Sequence, residues 1–340
     1  MVVRRLDMIN WAVLDRYRCP EEFGEYRLMG NLPAKAGYFK FGEDATCFGH
    51  CSSIPLSGIA TNGLHDSSSG IRTDESALAL PFDPSEVVSN LLLERYPVDD
   101  GGSLGSIRDR TAISRVYYFI RPLLSVGTRK YLQRLALRDW KTRHFPKWPV
   151  DLTVENILKR CLILSMKTRG VTSLPFIWFW PEGHSSCCMI THDVETEKGR
   201  QFTSALMDID AAFGFKTSFQ VVPEERYQVT EEYLESIRKR GCEVNVQDLN
   251  HDGHLYSDRA KFLQRADQIN RYVKHYREQG FRAGALYRNV EWYDALEVAY
   301  DMSVPNCAHL DPQRGGCCTV FPYFIGNVLE LPVTTVQDYS

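Results

Sequence analysis

The second half of the chain alternates two hydrophobic rhythms. Short apolar runs predict strands at 176–180 (Phe176-Ile-Trp-Phe-Trp180), 188–191, 215–222, 242–246 and 281–286, with shorter ones near 303–305 and 329–333. Between them, helices are predicted over about 199–213, 230–240, 257–279 and 290–300. Gly241 and Gly280 stand where two of these helices should stop. Strands and helices alternating at this spacing predict parallel strands, in an open sheet or a barrel. The first half reads differently. Gly37-Tyr-Phe-Lys-Phe-Gly and Thr46-Cys-Phe-Gly are strand patterns, 63–77 is a polar loop, and a helix over about 85–95 starts near Pro84 or Ser85. Thr153 is placed to cap a helix over 154–169 that ends at Gly170. Asp99-Asp-Gly-Gly-Ser-Leu-Gly105 is a loop, and Phe145-Pro-Lys-Trp-Pro149 is a stiff link. The expected organisation is an α+β region over 1–106, a helical connector over 107–170 and an α/β region over 171–340.

Composition narrows the function classes. A chain of 340 residues, 44% hydrophobic and 24% charged, can bury a large core, and its length favours more than one domain. A net charge of −3 argues against nucleic acid as a main partner. Residues 107–147 are the exception, because Arg and Lys are opposed there by only Asp109 and Asp139 and interleave with Tyr and Leu. Two readings stand: a basic amphipathic surface making peripheral contact with anionic lipid or phosphorylated partners, or a connector whose Arg and Lys stems cover the edges of an apolar stripe. The N-terminus lacks the apolar core of a secretory signal, and no apolar run is long enough to span a membrane. Ten cysteines without regular spacing then suggest reduced thiols in a cytoplasmic protein. Cys47-Phe-Gly-His-Cys51 could be half of a zinc site, but no second pair completes it.

The candidate chemistry lies at two strand ends. Cys188-Met-Ile-Thr-His-Asp-Val-Glu195 is an apolar run that ends in a histidine and two carboxylates. Glu243-Val-Asn-Val-Gln-Asp-Leu-Asn-His251 repeats the pattern. Two strand ends carrying oxygen and nitrogen donors suggest one metal site. His192 should point to the face opposite Asp193. Asp208 and Asp210 read as surface charges on a helix, and Asp311-Pro-Gln-Arg-Gly-Gly-Cys-Cys318 as a sugar or phosphate subsite or a plain turn.

From about residue 186 onward the chain resembles the NodB-type polysaccharide deacetylases, carbohydrate esterase family 4. Thr191-His192-Asp193-Val194-Glu195 is similar to that family's first motif, and Lys216-Thr-Ser-Phe-Gln-Val221 to its next strand. Glu243 to His251 aligns without a gap with the Glu-Ile-Gly strand and His-x-x-x-His motif, with Gln247 at the first histidine. Phe281-Arg282 matches the Phe-Arg of a third motif but lacks its proline, and Leu331-Pro-Val lacks the final motif's histidine. The resemblance implies a distorted (β/α) barrel, here incomplete, in an uncharacterised bacterial branch, with Ser340 falling before the barrel would close.

It further implies Asp193 as catalytic base, Arg282 as its orienting partner, and Glu195, His251 and Gln247 as ligands of a divalent metal, Zn or else Co or Ni. His254, Arg314 and Tyr287 are candidate substrate contacts, and His254 and His309 candidate acids. The expected function is metal-dependent removal of an N-acetyl or related acyl group from a carbohydrate or sugar-linked precursor. Two alternatives remain open: a non-catalytic relative that binds carbohydrate or a partner protein, favoured by Gln247, and a small-amide hydrolase on the same fold.

Overall fold

A computed structural model describes residues 8–74, 77–98 and 140–335, and the structural statements below concern these. Most of the basic 107–147 stretch, at 107–139, lies outside them, as do 1–7 and 336–340. In the first half, β1 (Met8–Ile9), β2 (Glu25–Leu28), the antiparallel pair β3 (Gly37–Lys40) and β4 (Thr46–Gly49), β5 (Arg72–Asp74) and β6 (Ala77–Leu80) follow in chain order. Four of them form a sheet in the order β1-β2-β6-β5. The helices are α1 (Trp11–Tyr17), α2 (Pro84–Leu92) and α3 (Thr153–Thr168). Asp83 starts α2 by accepting from the Ser85 and Glu86 N–H groups, with Pro84 in the first turn. Thr153 is the first residue of α3 rather than its cap; the Asp151 carboxylate accepts from the Thr153 N–H instead (2.8 Å). The buried stripe Val154, Ile157, Leu158, Cys161 and Leu162 then joins Tyr38, Phe39, Phe41, Phe82 and Leu91 in one core. Cys47 is fully buried in this core and His50 pairs with Glu86, so the Cys47–Cys51 stretch is packing.

The second half builds a seven-stranded sheet. Its strands are β7 (Thr191–Val194), β8 (Ser218–Val221), β9 (Glu243–Gln247), β10 (Gly280–Arg282), β11 (Tyr300–Asp301), β12 (Tyr323–Ile325) and β13 (Val328–Glu330), in the order β12-β13-β11-β10-β9-β8-β7. Every neighbouring pair is parallel except β12 with β13. Helices α4 (Glu197–Ala212), α5 (Glu231–Arg238) and α6 (Arg259–Tyr276) intervene. Each begins the same way: Thr196, Thr230 and Asp258 accept from the N–H three residues on. The core of this half gathers Phe219, Val221, Val244, Val246, Ile269 and Phe281. The mixed α/β architecture agrees with the sequence rhythm. A closed barrel does not form among the described residues, because β7 and β12 are the outer strands of an open sheet. No helix among them is long and apolar enough to cross a membrane.

Several expected elements change: the strand expected over 188–191 runs from Thr191 to Val194, and near 303–305 only Pro305 makes a bridge, the strand there being Tyr300–Asp301. Residues 176–180 are no strand; the aromatic run packs by its rings, with Phe176 against Tyr17 and Trp180 stacked on Phe321. The expected strand over 281–286 ends at Arg282, since Gly284–Leu286 is a tight turn with Ala285 and Leu286 in left-handed backbone. The expected helix over 290–300 is a short 3-10 turn, Val290–Ala295.

Polar ties hold the two halves together. The Arg288 side chain is 0% exposed and donates Nε–H to Glu94 Oε2 (2.6 Å), and Glu94 Oε1 also accepts the Gly316 N–H (2.6 Å). Asp151 and Asn306 exchange backbone-to-side-chain bonds in both directions (2.7 Å each), and Glu155 accepts from Thr319 and the Val320 N–H. The loop 311–318, read as a subsite or a turn, therefore spends its Gly316 N–H inside the fold, and Arg314 donates to the His309 carbonyl. A buried guanidinium stripped of its acid keeps the desolvation cost without the attraction. Glu94→Ala should therefore cost about 3–5 kcal/mol in urea unfolding, while a loss below about 1 kcal/mol would show that solvent replaces the pairing.

Candidate active site

Parallel strands bring their carboxyl ends to one edge of a sheet. The register makes that edge concrete. Val194 pairs with Val221, Val221 with Val246, and Gln247 with Arg282, so Glu195, Gln247 and Arg282 stand at one level. Alternation places Asp193 on the same face as Glu195, with Gln220 and Asn245 filling the face beside it. His192 takes the opposite face, where its Nε2 lies 2.8 Å from Asp210 Oδ2, an oxygen that also accepts from Thr217. Asp210 is therefore buried and paired, not the surface charge its helix position suggested.

Two ion pairs form on this edge. Arg282 donates Nη1–H to Asp193 Oδ1 (3.0 Å) and Nε–H to the Met302 carbonyl (3.2 Å). His251 Nε2 lies 2.9 Å from Glu195 Oε1, and Gln247 donates to the same oxygen at 3.4 Å. The imidazole is close to the carboxylate without being aligned to it, so His251 Nε2 lacks a hydrogen-bond partner, and Gln247 Oε1 is a second buried atom without one. Asp248 and His251 hold left-handed backbone (φ +52° and +54°), a cost the surrounding fold must offset. Arg226 ties down that loop, donating to the Asn250 carbonyl (3.1 Å) and the His251 carbonyl (2.5 Å).

The charges bias one another. Burial pushes the Asp193 carboxyl above its ordinary range, and Arg282 only partly offsets this. The surroundings of Asp193 are dense, yet its side chain keeps 32% of its surface open, so a bound molecule can reach it. Burial acts in the same direction on Glu195, but the adjacent His251 imidazole, the Gln247 amide donor and the charge of Arg226 bring the net shift below the usual range. His251 loses basicity to burial and regains more from Glu195, so its shift is upward. Asp248, beside it, is raised by burial, and its Oδ2 lacks a partner.

The structure thus brings together Asp193, Glu195, Gln247, His251 and Arg282. It does not bring in His254, which is exposed and whose backbone N–H donates to Asp252, nor His309, whose Nε2 is spent on the Pro146 carbonyl. Arg314 is committed to its own loop, and Tyr287 is half-buried after the Gly284–Leu286 turn. Sequence reading missed Asp248 and Arg226. Arg226 follows the buried run of β8 in Val222-Pro-Glu-Glu-Arg226, the same strand-end signal that marked β7 and β9.

As to a cation, no three His, Cys, Asp or Glu side chains gather to hold one among the described residues. The orphaned Nε2 of His251 and Oε1 of Gln247, both beside Glu195, fit an incomplete donor set of imidazole, carboxylate and neutral amide, weaker than three charged or imidazole ligands.

No protein-family model and no curated protein matches the chain. Among solved structures, a protein from Mycobacterium smegmatis assigned as a polysaccharide deacetylase shares 18% identity at a TM-score of 0.33, over 45% of this chain and 60% of that one. The Xyl-CE4 domain of a multidomain xylanase, from the hindgut metagenome of Trinervitermes trinervoides, shares 16% at 0.28, over 34% and 56%. This chain therefore spans under two thirds of either, and overlap at this level is no argument for a shared activity.

Gly284 closes the edge against the His251 loop. A Cβ added there would stand 2.5 Å from Asp248 Oδ2 and 3.1 Å from the His251 ring. Gly284→Ala should cost about 1–3 kcal/mol by overpacking. Ligand or metal affinity at the site should fall with it, as calorimetric titration would register; full stability with unchanged binding would place the loop away from the site.

Proposed function

We propose that the chain is a hydrolase that removes an acyl group, of the N-acetyl kind, from a carbohydrate or sugar-linked substrate. The observation that supports this most is the convergence on one sheet edge of a guanidinium-held, partly open carboxylate, Asp193, with an imidazole–carboxylate pair, His251 and Glu195. Asp193 takes the proton of the attacking water as general base. Arg282 keeps it ionised against its burial and fixes which oxygen faces outward. Once protonated, Asp193 is placed to return the proton to the departing amine. Glu195, His251 and Gln247 would hold a divalent cation, most simply zinc, cobalt or nickel. When bound, such a cation acidifies water and polarises an acyl oxygen.

A second reading is a protein that binds carbohydrate at this edge without catalysis. Gln247 favours it, because a neutral amide is a poor substitute for imidazole on zinc. Two measurements separate the readings. Metal analysis with titration of the purified chain should find one divalent cation per chain, which Gln247→His binds more tightly. No bound metal and none taken up would remove the hydrolase reading. Asp193→Asn should keep the fold and lower acetate release from N-acetylated oligosaccharides by about 10²–10⁴-fold; undiminished release would deny Asp193 the role of base.

A further inference from the structure

A second pair of acids lies behind the site. Asp301 ends β11 and Glu330 ends β13, and the parallel register sets them directly opposite each other. Both are 0% exposed. Asp301 accepts from Ser303 twice, from its N–H at Oδ2 (2.9 Å) and from its hydroxyl at Oδ1 (2.7 Å). Glu330 Oε1 accepts the Val304 N–H (2.9 Å), while its buried Oε2 receives no donor, and the neighbouring strand end it faces is that of Asp301. Two carboxylate oxygens can hydrogen-bond only through a proton, and two bare charges in one buried site repel too strongly to persist.

Among the described residues, the groups facing the pair do not supply a free cation. Tyr293, which is buried, and Tyr256, which is partly buried, are neighbours of the pair, and Cys317 and Tyr323 face Glu330 as well. Arg288 faces Glu330 with its guanidinium already engaged by Glu94. Asp248, on the loop after β9, adds further negative charge near Tyr256. Toward the site, the Ser303 hydroxyl that donates to Asp301 accepts the Ala283 N–H (2.7 Å), one residue beyond Arg282.

We propose that Asp301 and Glu330 share a single proton, carried by Glu330, and that this acid pair positions Arg282 through Ser303. Asp301, with two donors, is the better-stabilised anion, and Glu330, with one, keeps the proton and donates it across. The chain Glu330, Asp301, Ser303, Ala283 then fixes the end of β10 from which Arg282 reaches Asp193. The positioning half of this proposal rests on the reading of Arg282 and Asp193 given above; the shared proton does not.

Burial and the neighbouring acid raise Glu330 well above its ordinary value, so the folded chain holds this proton more tightly than the unfolded chain. The stability it contributes is full below the unfolded pKa, near 4.3, and is lost as pH rises toward the folded value. Wild-type urea midpoints should therefore fall from about pH 5 to about pH 8, and those of Glu330→Gln should be flatter across the same range. Infrared difference spectra of the intact chain at neutral pH should show a protonated-carboxyl band in wild type that Glu330→Gln lacks. Equal pH slopes with no such band would overturn the shared proton, and the wild-type band decides alone if the variant does not fold. Ser303→Ala should lower kcat for acetate release with little change in KM and retain the band, whereas an unchanged kcat would overturn the positioning role. A wild type that releases no acetate removes the reading of the site instead, while the band and the slopes still decide the proton.

Discussion

A carboxylate at a dense sheet edge stays charged only if an opposite charge is held within reach of it. The salt bridge from Arg282 to Asp193 meets that requirement, and much of the second half is arranged to keep it. Parallel pairing from β7 through β10 sets the two residues on one face, and the Met302 carbonyl accepts the Nε–H of the guanidinium. The same demand recurs three times more. Glu195 leans on His251, Glu94 neutralises Arg288, and Glu330 meets Asp301 with no cation between them. Three of these pairings are of opposite charge; the fourth needs a proton.

The residues around Glu195 combine an attraction with a deficit. His251 and Gln247 each leave a buried atom without a partner while standing beside the same carboxylate. Left-handed backbone at Asp248 and His251 holds that arrangement in place, and Arg226 binds the loop from outside. Strain and unsatisfied groups together weigh against stability at this place.

Much of this was legible in the sequence, for reasons that also explain what was not. Periodicity is local information, so the helices ending before Gly241 and near Arg277 and the strands around Phe219 and Val244 could be placed from their own residues. Pairing is not local. The aromatic run at 176–180 has the composition of a strand but no neighbour to pair with, and it packs through its rings instead. Asp193, Glu195, Gln247, His251 and Arg282 carry motif-like spacing and could be singled out. Asp210 as partner of His192 and Glu330 opposite Asp301 depend on which element packs next to which, and no spacing along the chain encodes that.

The division at residue 171, natural to the eye because the βα rhythm begins there, is crossed by buried polar ties. A chain beginning at that point would inherit Arg288 without Glu94, Asn306 without Asp151 and Thr319 without Glu155. Each loss exposes or orphans a group already withdrawn from water. The sheet that carries the candidate site is in this sense incomplete alone, and the first half of the chain serves it as a counterion.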